Sequence, residues 1–206
     1  MADARPPLGP ITFALLPADD VAEAYRLESL GYPADEAASH EQLVFRQASA
    51  PHLFIGAYAS VGDVPRRLVG FIVAPATAGA RLTAASMKAH DPVGTTICIH
   101  SVCVAPDLRR RGIALAMLRH YVRYLRGLAR GESPAQALAA AAATESASEP
   151  HRDSTASDKP VTAPRVATLA AKQHLVTLYE QAGFSVLGES ALVHGADKWI
   201  ELSLVL

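Results

Sequence analysis

The run TTICIHSVCV (95–104) is apolar at odd and even positions alike, and a single histidine interrupts it. A strand with one wet face alternates, so a strand apolar on both faces sits in the middle of a sheet covered on both sides. The segment that follows, about residues 109–130, changes period. Arg119, Arg123, Arg126 and Arg130 fall on one solvated stripe, opposite Ile113, Ala116, Met117, Tyr121, Tyr124 and Leu128, as in an amphipathic helix. A central strand feeding a helix calls for a layered α/β fold.

The rest of the chain fills in that architecture. Strands are expected at 11–16, 52–60, 66–77, 165–171, 184–189 and 197–206, and helices at 18–33, 35–50, 81–94 and 172–183. The pair 52–60 and 66–77 reads as a hairpin across VGDVP. Residues 131–164 break the pattern: Leu138 and Val161 are their only large aliphatics, and Ala, Ser, Thr, Glu and Pro dominate. Apart from an alanine run near 135–143 with helical character, this segment buries too little apolar surface to offset its ordering entropy, so a mobile insertion is expected. Ser146, Ser148, Ser154, Thr155 and Ser157 within it are candidate phosphorylation sites, weighed against a neutral spacer. The 206 residues otherwise suit one domain.

Composition removes several function classes. The formal charge of −1 gives no basic field for nucleic acid or an anionic membrane. No apolar run reaches the roughly 20 residues of a membrane span, and MADARPPLGPITF lacks the apolar stretch of a secretory signal, so a cytoplasmic location is expected. Cys98 and Cys103 are five residues apart on one strand, face opposite ways and read as buried reduced thiols. No Cys/His spacing points to a metal.

The chemistry concentrates in Arg109-Arg110-Arg111-Gly112-Ile113-Ala114. Cations at a helix start oppose the helix dipole, so three arginines there need a reason. First-turn N–H groups have no partner within their helix. With a glycine admitting close approach, they make a phosphate or pyrophosphate site, beside which the arginines become favourable. Neither GxxxxGK[ST] nor GxGxxG is present, which sets aside a P-loop and a dinucleotide fold.

This strand, VAPDLRRRGIA and the amphipathic helix resemble the acetyl-CoA site of the GNAT superfamily of N-acetyltransferases. LESLGYPADEAAS, IHSVCVAPDLRRRGIA, LVTLYEQAGFSVLGES and VHGADKWIEL resemble, in order, its arylalkylamine (serotonin) N-acetyltransferase branch, above all the fungal members. The resemblance implies the GNAT fold: a mixed, mostly antiparallel sheet of about seven strands with flanking helices, strands 4 and 5 splayed apart. It implies acetyl-CoA as cosubstrate, without a metal. It implies backbone contacts to pantetheine from Val102, Cys103 and Val104, and a pyrophosphate turn formed by Arg109, Arg110, Arg111, Gly112, Ile113, Ala114 and Leu115. His100 becomes the general base or part of a water-mediated proton path, and Tyr179 the acid that protonates the departing thiolate. The N–H of Cys103, where the strand splays, is the candidate oxyanion donor. Vertebrate members carry a second histidine where this chain has Cys98, which leaves one histidine and gives Cys98 a packing role.

The acceptor expected from the resemblance is a small arylalkylamine of the serotonin, tryptamine or phenethylamine type. A polyamine or a protein lysine is the alternative acceptor, and a non-catalytic acyl-CoA sensor the alternative class. Glu28, Asp35, Glu36 and Glu41 are candidates to attract a cationic amine or, equally, ordinary helix N-terminal acids. Phe45, Phe54, Tyr58, Phe71 and Trp199 are candidate linings of an aromatic slot. His174, five residues before Tyr179, has no assigned role.

Overall fold

The computed structural model describes residues 6–83, 85–86, 88–143, 162–191 and 198–206. The candidate phosphorylation sites, and most of the segment expected to be mobile, lie outside these residues. Two half-sheets form the frame. One has the order β1-β2-β3-β6 and the other β4-β5-β7-β9-β8. The strands are β1 (Thr12–Leu15), β2 (Phe54–Val61), β3 (Val64–Val73), β4 (Ala76–Thr77), β5 (Thr96–Ile99), β6 (Ser101–Val104), β7 (Val166–Lys172), β8 (Ser185–Glu189) and β9 (Trp199–Val205). β3–β4 and β5–β6 are single strands with short interruptions, so the expected seven-stranded mixed sheet is the one that forms. All pairings are antiparallel except β5 with β7.

The central strand divides at His100. Its first half pairs with β7, Thr96↔Val166 through Ile99↔Leu169. Its second half pairs with β3, Val73↔Ser101 through Gly70↔Val104. The N–H of His100 also bonds the carbonyl of Val73, at 3.0 Å. Two residues, His100 and Ser101, therefore oppose one, which is a β-bulge. Beyond it β7 continues against β9 alone, and β6 is left with an open edge facing the gap between the half-sheets.

Helices α1 (Val21–Gly31), α2 (His40–Ser49), α3 (Ile113–Ala129), α4 (Pro134–Ala143) and α5 (Val176–Gln181) flank the sheet. Acidic residues precede α1 and lie in its first turn. At its end the Tyr32 N–H bonds the Glu28 carbonyl. In α2 a capping box, Ser39 with Gln42, satisfies two free donors. α3 buries Met117, Leu118, Tyr121, Tyr124 and Leu125 completely. The hydroxyls of Tyr121 and Tyr124 donate to the carbonyls of Leu53 (3.0 Å) and His52 (2.7 Å), so these rings reach the core without unsatisfied polar ends.

Two elements differ most from the sequence reading. α3 begins at Ile113, not at residue 109: Arg109–Gly112 form a turn in which Arg110 (φ 63°) and Gly112 (φ 79°) are left-handed. The expected helix at 81–94 is absent among the described residues, where turns take its place. There the N–H of Thr83 bonds Ser86 Oγ (2.9 Å) and the N–H of Ser86 bonds Thr83 Oγ1 (3.1 Å). Side chains that satisfy the backbone locally compete with a helix. The alanine run with expected helical character near 135–143 is a helix, α4, packed on α3 through Ala137 and Ala141.

A candidate active site where the half-sheets part

The open edge of β6 is the centre of the site. Val102 sits there, and the Tyr32 hydroxyl both accepts from its N–H and donates to its carbonyl, at 3.2 Å each. The Val104 carbonyl accepts from Arg109 Nε at 3.3 Å. Backbone groups alternate sides along a strand, and the Ala105 N–H bonds Val69 on the β3 side. The Cys103 N–H, the expected oxyanion donor, therefore faces β3, and the N–H that faces the gap is that of Val102. Cys103 contributes no backbone group to the edge: its side chain packs on α1, with Sγ 3.1 Å from the Leu27 carbonyl. Burial pushes its thiol up to about 12.

A cavity of about 450 Å³ runs through the gap. Both expected catalytic residues line it, as do Glu28, Ser101, Val102, Tyr32, Arg46, Lys172, His174 and Trp199. Tyr179 is buried on α5, and burial raises its hydroxyl well above the ordinary tyrosine range, so it stays protonated and able to donate. His100 is half-buried, with Nε2 3.2 Å from the Ser86 carbonyl. Cys98 is fully buried beside the same Ser86, outside the cavity wall, and burial holds its thiol at about 11.

The four candidate acids separate cleanly. Asp35 and Glu41 are exposed, whereas Glu28 and Glu36 are buried in the cavity wall. Glu36 pairs with Lys172 at 2.8 Å. Glu28 Oε1 accepts from the Ala38 N–H (3.0 Å) and the Ser101 hydroxyl (2.8 Å). The candidate aromatics separate the other way. Phe54 and Phe71 pack on each other in the core, Tyr58 donates to Asp20, and Phe45 is exposed. Only Trp199 of the five lines the cavity. Tyr32 and Arg46 were not singled out by sequence. Their roles follow from contacts across about 70 residues or from burial against Glu28, which leave no local pattern.

The arginine turn lies at the other end of the gap. Arg109 also reaches the Gly31 carbonyl, and Arg111 Nη1 donates to the Pro6 carbonyl at 2.8 Å. Those two side chains serve to hold the turn. Arg110, exposed, makes no side-chain bond among the described residues. Gly112 is exposed, and a Cβ added to it would meet nothing within 4 Å. The N–H groups of Ile113, Ala114 and Leu115 open a helix of 17 residues and have no partner within it. This cradle fits an anionic phosphate group.

Residues 21–143 match the model of the acetyltransferase (GNAT) family. No curated protein matches the chain. Among solved structures the fold is similar to the loading GNATL domain of CurA from Lyngbya majuscula (TM-score 0.66, 11% identity, covering 96% of this chain and 98% of that one). It is similar to Arabidopsis thaliana NAA60 in complex with a bisubstrate analogue (0.58, 15%, 96% and 99%). It is also similar to a spermidine N-acetyltransferase SpeG chimera from Vibrio cholerae and hSSAT (0.51, 12%, 95% and 95%).

Proposed function

The chain belongs to the GNAT family of acetyltransferases, an acetyl-CoA-dependent N-acetyltransferase, and from that membership we propose that it acetylates a slender aliphatic primary amine, a polyamine or a lysine side chain, at the open edge of β6. The observation that carries the reading is this edge: Val102 presents both backbone groups into a cavity that also holds Tyr179 and His100.

Acetyl-CoA supplies an activated acyl carbon. Val102 and Val104 offer backbone groups to its pantetheine arm, as a strand offers them to an added strand. Gly112 and the N–H groups of Ile113, Ala114 and Leu115 hold the pyrophosphate, with the Arg110 charge beside them. The Val102 N–H stabilises negative charge as it develops on the acyl oxygen. Tyr179, kept protonated by burial, gives its proton to the departing sulfur. His100 lines the same cavity and serves its proton path.

The acceptor class follows from the walls. Glu28, Glu36, Gln42, Arg46, Lys88 and Lys172 make them mixed-charge and polar, and four of the five residues expected to form an aryl slot, Phe45, Phe54, Tyr58 and Phe71, lie elsewhere. A narrow ammonium-bearing chain suits them better than an indole. The same fold serves a spermidine acetyltransferase. Trp199 in the wall favours a second reading, the arylalkylamine acceptor. Thiol release from acetyl-CoA, followed with spermidine, a lysine peptide and tryptamine at matched concentrations, separates them. Faster turnover of spermidine or the peptide is expected. A clear preference for tryptamine overturns the aliphatic assignment, and no turnover with any amine leaves only an acyl-CoA sensor.

A further inference from the structure

Glu28 enters the cavity from the last turn and a half of α1 and is 1% exposed. Its two oxygens differ. Oε1 is fixed by the Ala38 N–H and the Ser101 hydroxyl, while Oε2 is buried with no hydrogen-bond partner among the described residues. A buried carboxylate oxygen left bare is costly unless a cation or a proton meets it. Ser101 is the bulge residue between His100 and Val102, so the carboxylate is anchored one residue from the open edge. His100 is placed differently. Its Nε2 faces the Ser86 carbonyl, which can only accept, so in the neutral ring Nε2 carries the proton and any proton taken from an amine would have to reach Nδ1.

We propose that Glu28 is the group that accepts the proton of the incoming ammonium, with Ser101 holding the carboxylate in place. This rests on the acetyl-transfer reading above. The ammonium gives one proton to Glu28 Oε2, leaving a neutral amine and a carboxylic acid. The nitrogen lone pair then forms the C–N bond while the C–S bond breaks. The sulfur takes the Tyr179 hydroxyl proton, and the second proton lost by nitrogen returns to the Tyr179 oxygen. Glu28 releases its proton to water, so each acetyl transferred liberates one proton. Burial raises the Glu28 carboxyl above the usual range, opposed by the Ala38 and Ser101 bonds and the Arg46 charge. That moves the base toward neutrality, where proton transfer is most effective.

The test is Glu28→Gln, which keeps the size of the side chain and an oxygen for Ala38 and Ser101. With the best amine of the panel, kcat/KM is expected to fall at least about 100-fold, with acetyl-CoA affinity by calorimetry unchanged within about twofold. Glu28 acts as the carboxylate, so the rate of the unmutated enzyme falls as pH drops through its raised pKa. In the variant this acidic limb disappears. An acceptor that is already neutral at the assay pH, such as a trifluoroethyl-substituted amine, is expected to lose less than about tenfold. If circular dichroism shows that the Gln variant does not fold, Glu28→Asp takes its place, with a displaced acidic limb expected. A variant that retains the acidic limb, or loses the same factor with charged and neutral acceptors, overturns the assignment and leaves Glu28 a tie between α1 and the turn at Ala38. An unmutated protein that turns over no amine would instead remove the acetyl-transfer reading, and Glu28's role with it.

Discussion

Tyr32 occupies both backbone groups of Val102, the pairing a pantetheine arm needs. Cosubstrate binding at this edge exchanges two hydrogen bonds with Tyr32 for two with the ligand, and each is worth a net of about 1 kcal/mol. Removing the hydroxyl removes a competitor worth about 2 kcal/mol, so Tyr32→Phe is expected to bind CoA roughly thirtyfold more tightly by calorimetry. Weaker binding would mean that the hydroxyl contacts the ligand and does not compete with it. Individual residues were legible in the sequence to different degrees. Tyr179 and His100, singled out from the short local motifs around them, both line the cavity. Glu28 read as one acid among four because what distinguishes it, the bond to Ser101 73 positions away, has no local trace. The backbone groups that face the gap are those of Val102 and not of Cys103, because a bulge at His100 sets the alternation, and periodicity alone does not reveal a bulge.

The elements followed the sequence wherever a strong period governed them, as in α3 and the central strand. They departed from it where side chains bond the nearby backbone, at Thr83 and Ser86, and where a left-handed turn delays a helix, at Arg110 and Gly112. α4 was legible only as an alanine run, since its order depends on α3. Gly127 sets how closely the two helices approach: a Cβ there would lie 2.7 Å from Ala137 Cβ and 3.0 Å from Ala137 Cα. Gly127→Ala gains about 1 kcal/mol of helix propensity but forces α4 away, a cost of about 1–3 kcal/mol. A net loss of stability is expected in urea denaturation. A more stable variant would contradict this packing account.

At the scale of the whole molecule, the function depends on a sheet that parts. One strand serves both half-sheets, pairing with β7 before the bulge and with β3 after it. Everything assigned to the chemistry stands around the resulting gap: Glu28 and Tyr32 from α1 and its end, His100, Ser101 and Val102 from the strand, Tyr179 from α5, and the phosphate turn at the start of α3. The family's overall shape could be read from the central strand, VAPDLRRRGIA and the amphipathic helix after it. The acceptor could not, because the polar lining is gathered from α1, α2, β7 and β9 and becomes one wall only after folding. The most direct measurement is a crystal structure with a spermidine–CoA bisubstrate analogue. The account predicts the pantetheine arm along β6 in place of the Tyr32 hydroxyl, the pyrophosphate over Gly112, and the acceptor nitrogen within hydrogen-bond reach of Glu28. An analogue bound away from the β6 edge, or with its nitrogen turned away from Glu28, would contradict it.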